Sequence, residues 1–472
     1  MDQYRMPAPG CGRGKAKPER QPWRFPQRKL PGLAAAAILA LPAYVAAQQP
    51  TLPALLAEAE AGNPKLVAAR RTAEAAAARV RQAGALPDPM LAFGVMNVPV
   101  ADPSLGRDMM TMTTIQLAER FPWPGKLGLR EAIARFGAEA ADWEVEHVRD
   151  RVLSEVKAAY YRVYFLDRAL GVTDRNEQLV GDFARLTSAR YGVGTGAQPD
   201  VLKAQVERTR LEDQLVALRQ ERTSAVARLN ALLGRPTDTP LPAADLPDRV
   251  RVAALDGGSR QVRFASASLS GVLAADAAEP SIPGARTVAE LQRLALEHNP
   301  MIQAHVRRVA AQEYAEALAA KATLPDVHVT ASYARRAEFG DFFNLMVSLP
   351  LPVFAGRKQD QGVIEQAAML AQHRAMHHAM VHDLNAEIAS LAAALQRGRD
   401  QLLLLNEGIL PQARTALSSA TASYQVGRVD FLTLLDSQVT LYRHELDYHR
   451  LLADFATDLA ALERAVGTEV LQ

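Results

Sequence analysis

Of 472 residues only one is a cysteine, Cys11. It precedes an apolar run, Leu30 to Val45, that follows a stretch crowded with Lys and Arg and ends on small residues at Val45-Ala46-Ala47. That arrangement is the signature of an export leader, so residues 1–47 are expected to be a signal peptide. Removing them leaves no thiol, which excludes a disulfide framework, a nucleophilic cysteine and lipidation at an N-terminal Cys. It also removes eight Lys/Arg and two Asp/Glu, turning the formal net charge of +2 negative. No basic excess then remains to attract nucleic acid. Aromatic residues are scarce at 6%. No other stretch approaches the roughly eighteen consecutive apolar residues of a membrane-spanning helix. Catalytic signatures are missing as well: there is no Gly-x-Ser-x-Gly, no phosphate loop and no zinc-protease helix, so neither an enzyme nor a cofactor is expected. An exported chain without a membrane helix is either free in the periplasm or built into a β-barrel.

What the chain does have is a duplication. Tyr191-Gly-Val-Gly194-Thr-Gly196-Ala-Gln-Pro-Asp200 returns as Tyr424-Gln-Val-Gly427-Arg428-Val-Asp430, with a Leu eleven residues and a Gln fourteen residues after each Tyr. The register continues to Leu-Leu-Gly234 and Ala-Val-Gly467, where both helical patterns end. Asn63-Pro64 matches Asn299-Pro300, Leu86-Pro87-Asp88 matches Leu324-Pro325-Asp326, and Gly125-Lys126 matches Gly356-Arg357. Each repeat is therefore helix, strand pair, very long helix, turn and return helix. The first repeat is expected over 48–250, with strands at about 89–121 and a helical hairpin at about 126–233. The second is expected over 287–470, with strands at about 326–352 and a hairpin at about 357–467. Between them, 235–286 is rich in Pro, Gly, Ala and Ser and is expected to be a linker that could form a belt where stacked helices meet.

Thr51 is expected to cap a short helix ending at Gly62, and Asn63 to cap the next, with Pro64 as its first residue. The long helix from about Leu127 to Arg190 carries Val148, Val152, Val156, Tyr160 and Tyr164 as part of its apolar stripe, and at 1.5 Å per residue it is roughly 95 Å long. A similar helix is expected over 358–423. The return helices, about 199–233 and 430–466, are shorter, so each is expected to stack end to end with a strand-approaching helix (65–86 or 301–323) beside a long one. Leu211, Leu215, Leu218, Leu229 and Leu232 have coiled-coil spacing.

In the strand regions the period changes from 3.6 to 2. Leu91, Phe93 and Val95 alternate with mostly small residues, Ile115 and Leu117 with Thr114 and Gln116, and Val327, Val329 and Tyr333 with His328, Thr330 and Ser332. Phe343, Leu345, Val347 and Leu349 alternate with Asn344, Met346 and Ser348. Four segments with one greasy and one polar face fit membrane β-strands whose apolar residues face lipid; they also fit two half-buried hairpins of a periplasmic scaffold. Four strands cannot close a barrel, and open edges are not tolerated in lipid. Two chains would give eight strands with a filled interior, whereas three give twelve and a lumen.

The order and doubling of these motifs resembles the TolC-like outer membrane factor family over nearly all of residues 51–468. The resemblance implies a mixed α+β membrane protein: a homotrimer sharing a twelve-stranded β-barrel in outer membrane lipid, continued by a long α-helical barrel through the periplasm. It implies an exit duct for efflux or type I secretion, docked to a periplasmic adaptor and an inner-membrane transporter. Phe121-Pro-Trp-Pro-Gly-Lys126 is similar to a segment of the heavy-metal branch, which makes metal ions the expected cargo and drugs or secreted proteins the alternative.

The resemblance also places the adaptor-docking turns at Tyr191, Gly194, Gly196 and Gly427. It implies acidic residues ringing the periplasmic constriction at the ninth and twelfth positions after the second Tyr. Asp436 fills the twelfth, Thr433 replaces the acid at the ninth, and Asp430 stands one turn closer to the tip. In the first repeat the same positions hold Asp200 and Lys203; Tyr424 and Arg428 complete the candidate gate. Three Asp436 carboxylates about one axis would attract cations, whereas Asp430 also suits the start of a helix. His373, His377, His378 and His382 lie at helical spacing able to ligate a metal, or simply to line a solvated surface.

Overall fold

The computed structural model of the chain describes residues 51–101, 103–105, 108–255 and 286–471. The expected leader with Cys11, and residues 256–285 of the linker, lie outside the described residues. Among the described residues no helix is long and apolar enough to cross a membrane.

Each repeat opens with two short helices broken by Asn-Pro. Helix α1 (Leu52–Gly62) leads into α2 (Pro64–Gly84), and α6 (Val288–His298) into α7 (Pro300–Ala320). Pro at the first helical position has no N–H to leave unpaired, and the preceding Asn supplies the cap. The Asn63 side chain accepts from Lys65 N at 2.9 Å, and Asn299 from Met301 N at 3.0 Å. Thr51 stands before α1 but makes no side-chain cap bond, contrary to expectation.

Strands β1 (Met90–Met96) and β2 (Met112–Phe121) follow the first helix pair, and β3 (Val327–Arg335) and β4 (Phe342–Ser348) the second. They form one antiparallel sheet in the order β1-β2-β3-β4, with β1 and β4 as open edges. The second strand starts at Met112.

Helix α3 (Lys126–Gly192) is 67 residues long, roughly 100 Å at 1.5 Å per residue. It turns into α4 (Gln198–Leu233), and the second hairpin ends with α10 (Phe431–Val466). The second long helix is not uniform, as α3 is: α8 (Gln359–Leu403) passes through a π-helical turn at Leu404–Ile409 into α9 (Leu410–Gln425). Pro411 has no N–H for the carbonyl of Glu407, and a widened turn just ahead of it accommodates that loss. The linker region also holds a helix that its composition hid, α5 (Asp248–Leu255), with Val250, Ala253 and Ala254 buried. Tyr160 ties this region to α3, its hydroxyl donating to Asp245 O at 2.9 Å and accepting from Asp245 N at 3.0 Å.

Helix α3 is central to the packing: α2 and α4 of its own repeat pack against it, and so do α7 and α10 of the other. Val148, Val152, Val156, Tyr160 and Tyr164 are buried as their spacing requires, and so are Leu211, Leu215, Leu218 and Leu229 on α4. The end-to-end stacking of short helices has a specific joint. Asn63 Nδ2 donates to Leu232 O at 2.7 Å and Asn299 Nδ2 to Ala465 O at 2.8 Å, so one Asn starts a helix and closes the end of another. Gly234 and Gly467 end those helices with φ of +75° and +80°, the left-handed conformation that favours glycine.

Candidate functional site

The sequence-predicted candidates fall in two regions: the sheet at one end of the hairpins and the paired turns at the other. In the sheet, register decides which residues share a face. Leu91 pairs with Leu117, Leu117 with Ala331, and Ala331 with Leu345; Phe93, Ile115, Tyr333 and Phe343 form the next row. Val95 opposes Thr113, Val329 opposes Val347, and Val327 opposes Phe121. Facing partners in an antiparallel pair point to the same side, so these apolar residues form one continuous face. It is exposed, with Phe93 at 73% and Phe343 at 70% of their full accessible surface. Leu349 lies just past β4. The other face carries the rows Gln116–Ser332–Asn344 and Thr114–Ala334–Phe342. An exposed apolar patch this wide marks a contact with lipid or protein.

Below the sheet, one buried ion cluster locks the two repeats together. Asp326, 5% exposed, accepts from Lys126 Nζ at 2.8 Å, Arg120 Nη2 at 2.5 Å and the Trp123 backbone N–H at 3.1 Å. Lys126 also donates to Leu324 O at 2.6 Å. Burial pushes the Asp326 carboxyl up, but the bonds from Lys126, Arg120 and Trp123 outweigh it and hold the group well below the usual carboxylate range.

At the opposite end the two turns share one backbone. Gly194 N–H donates to Tyr191 O and Thr195 N–H to Arg190 O; in the second copy Gly427 N–H donates to Tyr424 O and Arg428 N–H to Ser423 O. Both are Schellman motifs, and Gly194 and Gly427 take the left-handed conformation with φ of +75° and +74°. Gly196 serves close approach, since a Cβ there would stand 3.0 Å from Arg190 Cβ and Tyr191 N. The copies are joined by a residue that the sequence did not single out. The Arg190 guanidinium lies 4.8 Å over the Tyr424 ring and bonds Tyr424 O. Tyr424 packs on Phe431, ring centroids 5.8 Å apart, within a small tip core with Phe183, Ala204, Ala420 and Leu434. Tyr191 is half exposed.

The candidate gate carboxylates sit in different environments. Asp430 is a helix cap, accepting from Thr433 N at 2.9 Å and Thr433 Oγ1 at 2.5 Å, and these bonds hold its carboxyl below the usual range. Asp436 is exposed one and a half turns further along α10. Asp200 lies in the first turn of α4, and Arg428 is exposed in the second turn. Above them a polar layer crosses the hairpins: Gln438 Nε2 donates to Asn176 Oδ1 at 2.8 Å, and the Thr173 and Tyr442 hydroxyls are 3.0 Å apart.

The histidines divide. His373 and His377 on α8 face buried His305 of α7, at ring-centroid distances of 5.8 and 5.9 Å, while His378 and His382 are exposed. Burial, then the neighbouring His373 and His377, pushes the His305 pKa down. Sequence reasoning missed His305 because it lies on another helix. Among the described residues no group of three or more His, Cys, Asp or Glu is arranged to hold a metal.

An exposed greasy sheet face joined to paired helical hairpins fits a membrane channel protein with a helical extension. The chain belongs to the outer membrane efflux protein family, whose model matches residues 55–235 and 291–468. It is an outer membrane efflux channel protein. Among curated proteins it is 23% identical over 409 residues to the cobalt-zinc-cadmium resistance protein CzcC of Cupriavidus metallidurans, covering 86% of this chain and 87% of that one. Its fold matches the outer-membrane channel OprN (TM-score 0.71, 19% identity, 89% of this chain and 90% of that one). It also matches CusC (0.71, 16%, 89% and 92%) and VceC from Vibrio cholerae (0.70, 20%, 88% and 96%).

Proposed function

We propose that three copies of this chain form an outer membrane exit duct that passively conducts metal ions out of the cell. In this reading the twelve strands close one barrel in the outer membrane, and the helical hairpins extend through the periplasm. At the turns around Gly194 and Gly427 the duct meets a periplasmic adaptor and an inner-membrane transporter that supplies the energy. The observation that carries the trimer is the four-stranded sheet with one greasy face and two open edges, β1 and β4. Such edges are stable in lipid only when another chain pairs with them. Similarity to a protein named for cobalt, zinc and cadmium resistance supports the metal cargo.

Detergent-purified protein should have the mass of three chains and open pores in planar bilayers. Deletion should sensitise cells to zinc, cobalt and cadmium more than to dyes and detergents. Equal sensitivity to hydrophobic drugs moves the cargo to the drug class. Release from membranes by carbonate, as a monomer, removes the channel reading and leaves a periplasmic scaffold.

A further inference from the structure

The Asp326 cluster seals the seam between the two repeats, and its parts recur at the outer edges of the sheet. Leu86-Pro87-Asp88 precedes β1 as Leu324-Pro325-Asp326 precedes β3, and Gly356-Arg357 follows β4 as Gly125-Lys126 follows β2. The turn itself is repeated: Lys126 N donates to Trp123 O at 3.0 Å, and Arg357 N to Phe354 O at 3.0 Å. Yet Asp326 and Lys126 are buried in a mutual ion pair, whereas Asp88 and Arg357 are both exposed and, among the described residues, form no ion pair. A carboxylate and a guanidinium of opposite charge are thus left at the two open edges.

Antiparallel pairing explains where they would meet. Within the chain Phe121 at the end of β2 opposes Val327 at the start of β3, which brings the acid before the later strand onto the cation after the earlier one. If β4 of one copy pairs with β1 of the next, the same geometry brings the loop after β4 to the residues ahead of Met90. We infer that Arg357 of each copy binds Asp88 of the neighbouring copy, so that every seam between protomers repeats the Lys126–Asp326 junction. This inference rests on the trimeric reading above. The seam differs from the internal junction in one respect: Arg120, which adds a second cation to Asp326, has Leu351 at its repeat position. A guanidinium compensates, because its fork offers a carboxylate two parallel donors where an ammonium offers one point charge.

Charge exchange tests the contact in the full-length protein. Asp88→Arg and Arg357→Asp each set like charges across the seam, and each should lower the temperature at which the trimer dissociates in SDS. The double variant with the charges exchanged should recover most of the loss. A second readout does not depend on stability: with the sole native cysteine replaced by Cys11→Ser, a chain carrying both Asp88→Cys and Arg357→Cys, treated with a short bis-maleimide, should give covalent species up to three chains. Chains with either cysteine alone should give none. A trimeric wild type with no rescue by exchange and no cross-linking between chains overturns the seam contact alone. A wild type that is monomeric in detergent and in membranes overturns the trimer, and the seam with it.

Discussion

The two repeats share a backbone plan but not a burial pattern. Tyr424 is 4% exposed and Tyr191 50%; Gln438 is buried and Gln205 exposed; Asp326 is buried and Asp88 exposed. In each pair the residue of the second repeat is the one with a partner inside the chain. The cause lies in the order of packing rather than in chemistry. Helix α3 of the first repeat meets α7 and α10 of the second, so the second repeat's return helix, approach helix and Asp326 all find first-repeat partners. The equivalent first-repeat faces look outward, and Leu202, Val206 and Val216 on α4 are correspondingly exposed. Differences between duplicated residues therefore mark the faces that the chain does not cover itself, and on the trimeric reading the exposed copy shows what a neighbouring copy would supply.

The largest effect expected from breaking this comparison is at Asp326. Asp326→Ala leaves the buried Lys126 ammonium without its carboxylate, and breaking a buried pair in this way costs about 3–5 kcal/mol. Outer membrane levels of the variant should fall severely, whereas Asp88→Ala should still yield folded chains with weaker trimers. The pH dependence has a definite sign. The folded Asp326 carboxyl is held below its unfolded range, so its contribution is complete above that range, declines as pH falls through it and is gone once pH has passed the lowered value. Acid should therefore destabilise the wild-type fold more steeply, from the ordinary carboxylate range downwards, than it destabilises Asp326→Asn, as acid unfolding of the two proteins would show.

The next effect separates the two helix-end glycines. A Cβ on Gly467 would stand 2.5 Å from His298 O and 2.7 Å from its carbon, while one on Gly234 would stand 3.1 Å from Gly62 O. Both residues have left-handed φ, which costs an L residue roughly 1–2 kcal/mol. Gly467→Ala adds an outright collision with backbone, for which overpacking costs of about 1–3 kcal/mol are typical, whereas Gly234→Ala makes a tight contact that a small shift of Gly62 O relieves. The thermal unfolding temperature should fall clearly further for Gly467→Ala than for Gly234→Ala, and equal shifts would mean that the α6–α7 joint yields freely.

Much of this was legible in one dimension because the signals are local. Gly194 and Gly427 announce turns because only glycine takes a left-handed cap cheaply, and the alternation of Phe343, Leu345 and Val347 puts them on one face of any strand they form. Asn63 and Asn299 were recognisable as caps, but not their bonds to Leu232 and Ala465, which span more than 160 residues. Lys126 and Asp326 each stood within a repeated motif, yet nothing in either motif says that they meet. Arg190 over Tyr424 and His305 beside His377 were invisible for the same reason. The π-helical turn before Pro411 and helix α5 were hidden differently, one inside an intact helical pattern and the other inside a composition that reads as linker.

The smallest expected effects lie at the turns, where two carboxylates of α10 differ in what already holds them. Asp430 is occupied: Thr433 bonds it through both backbone and hydroxyl, and it caps the helix. Asp436 is exposed and forms no ion pair among the described residues. Its α10 neighbours Phe431 and Leu434 are buried in the tip core, which fixes the helix without involving the carboxylate. If three chains converge at this end, Asp436 is the group free to face the axis, where three carboxylates would attract multivalent cations far more strongly than one. Asp430→Ala should slightly lower thermal stability and leave conduction unchanged, because Thr433 holds its carboxylate against the start of the helix. Asp436→Ala should leave stability unchanged while weakening the cation preference and the block by a trivalent cation added on the periplasmic side. Single-channel recording of both variants beside the wild type decides the matter. Block that persists in Asp436→Ala and disappears in Asp430→Ala would exchange their roles, making the capped residue the collar and the exposed one part of the solvated helix surface.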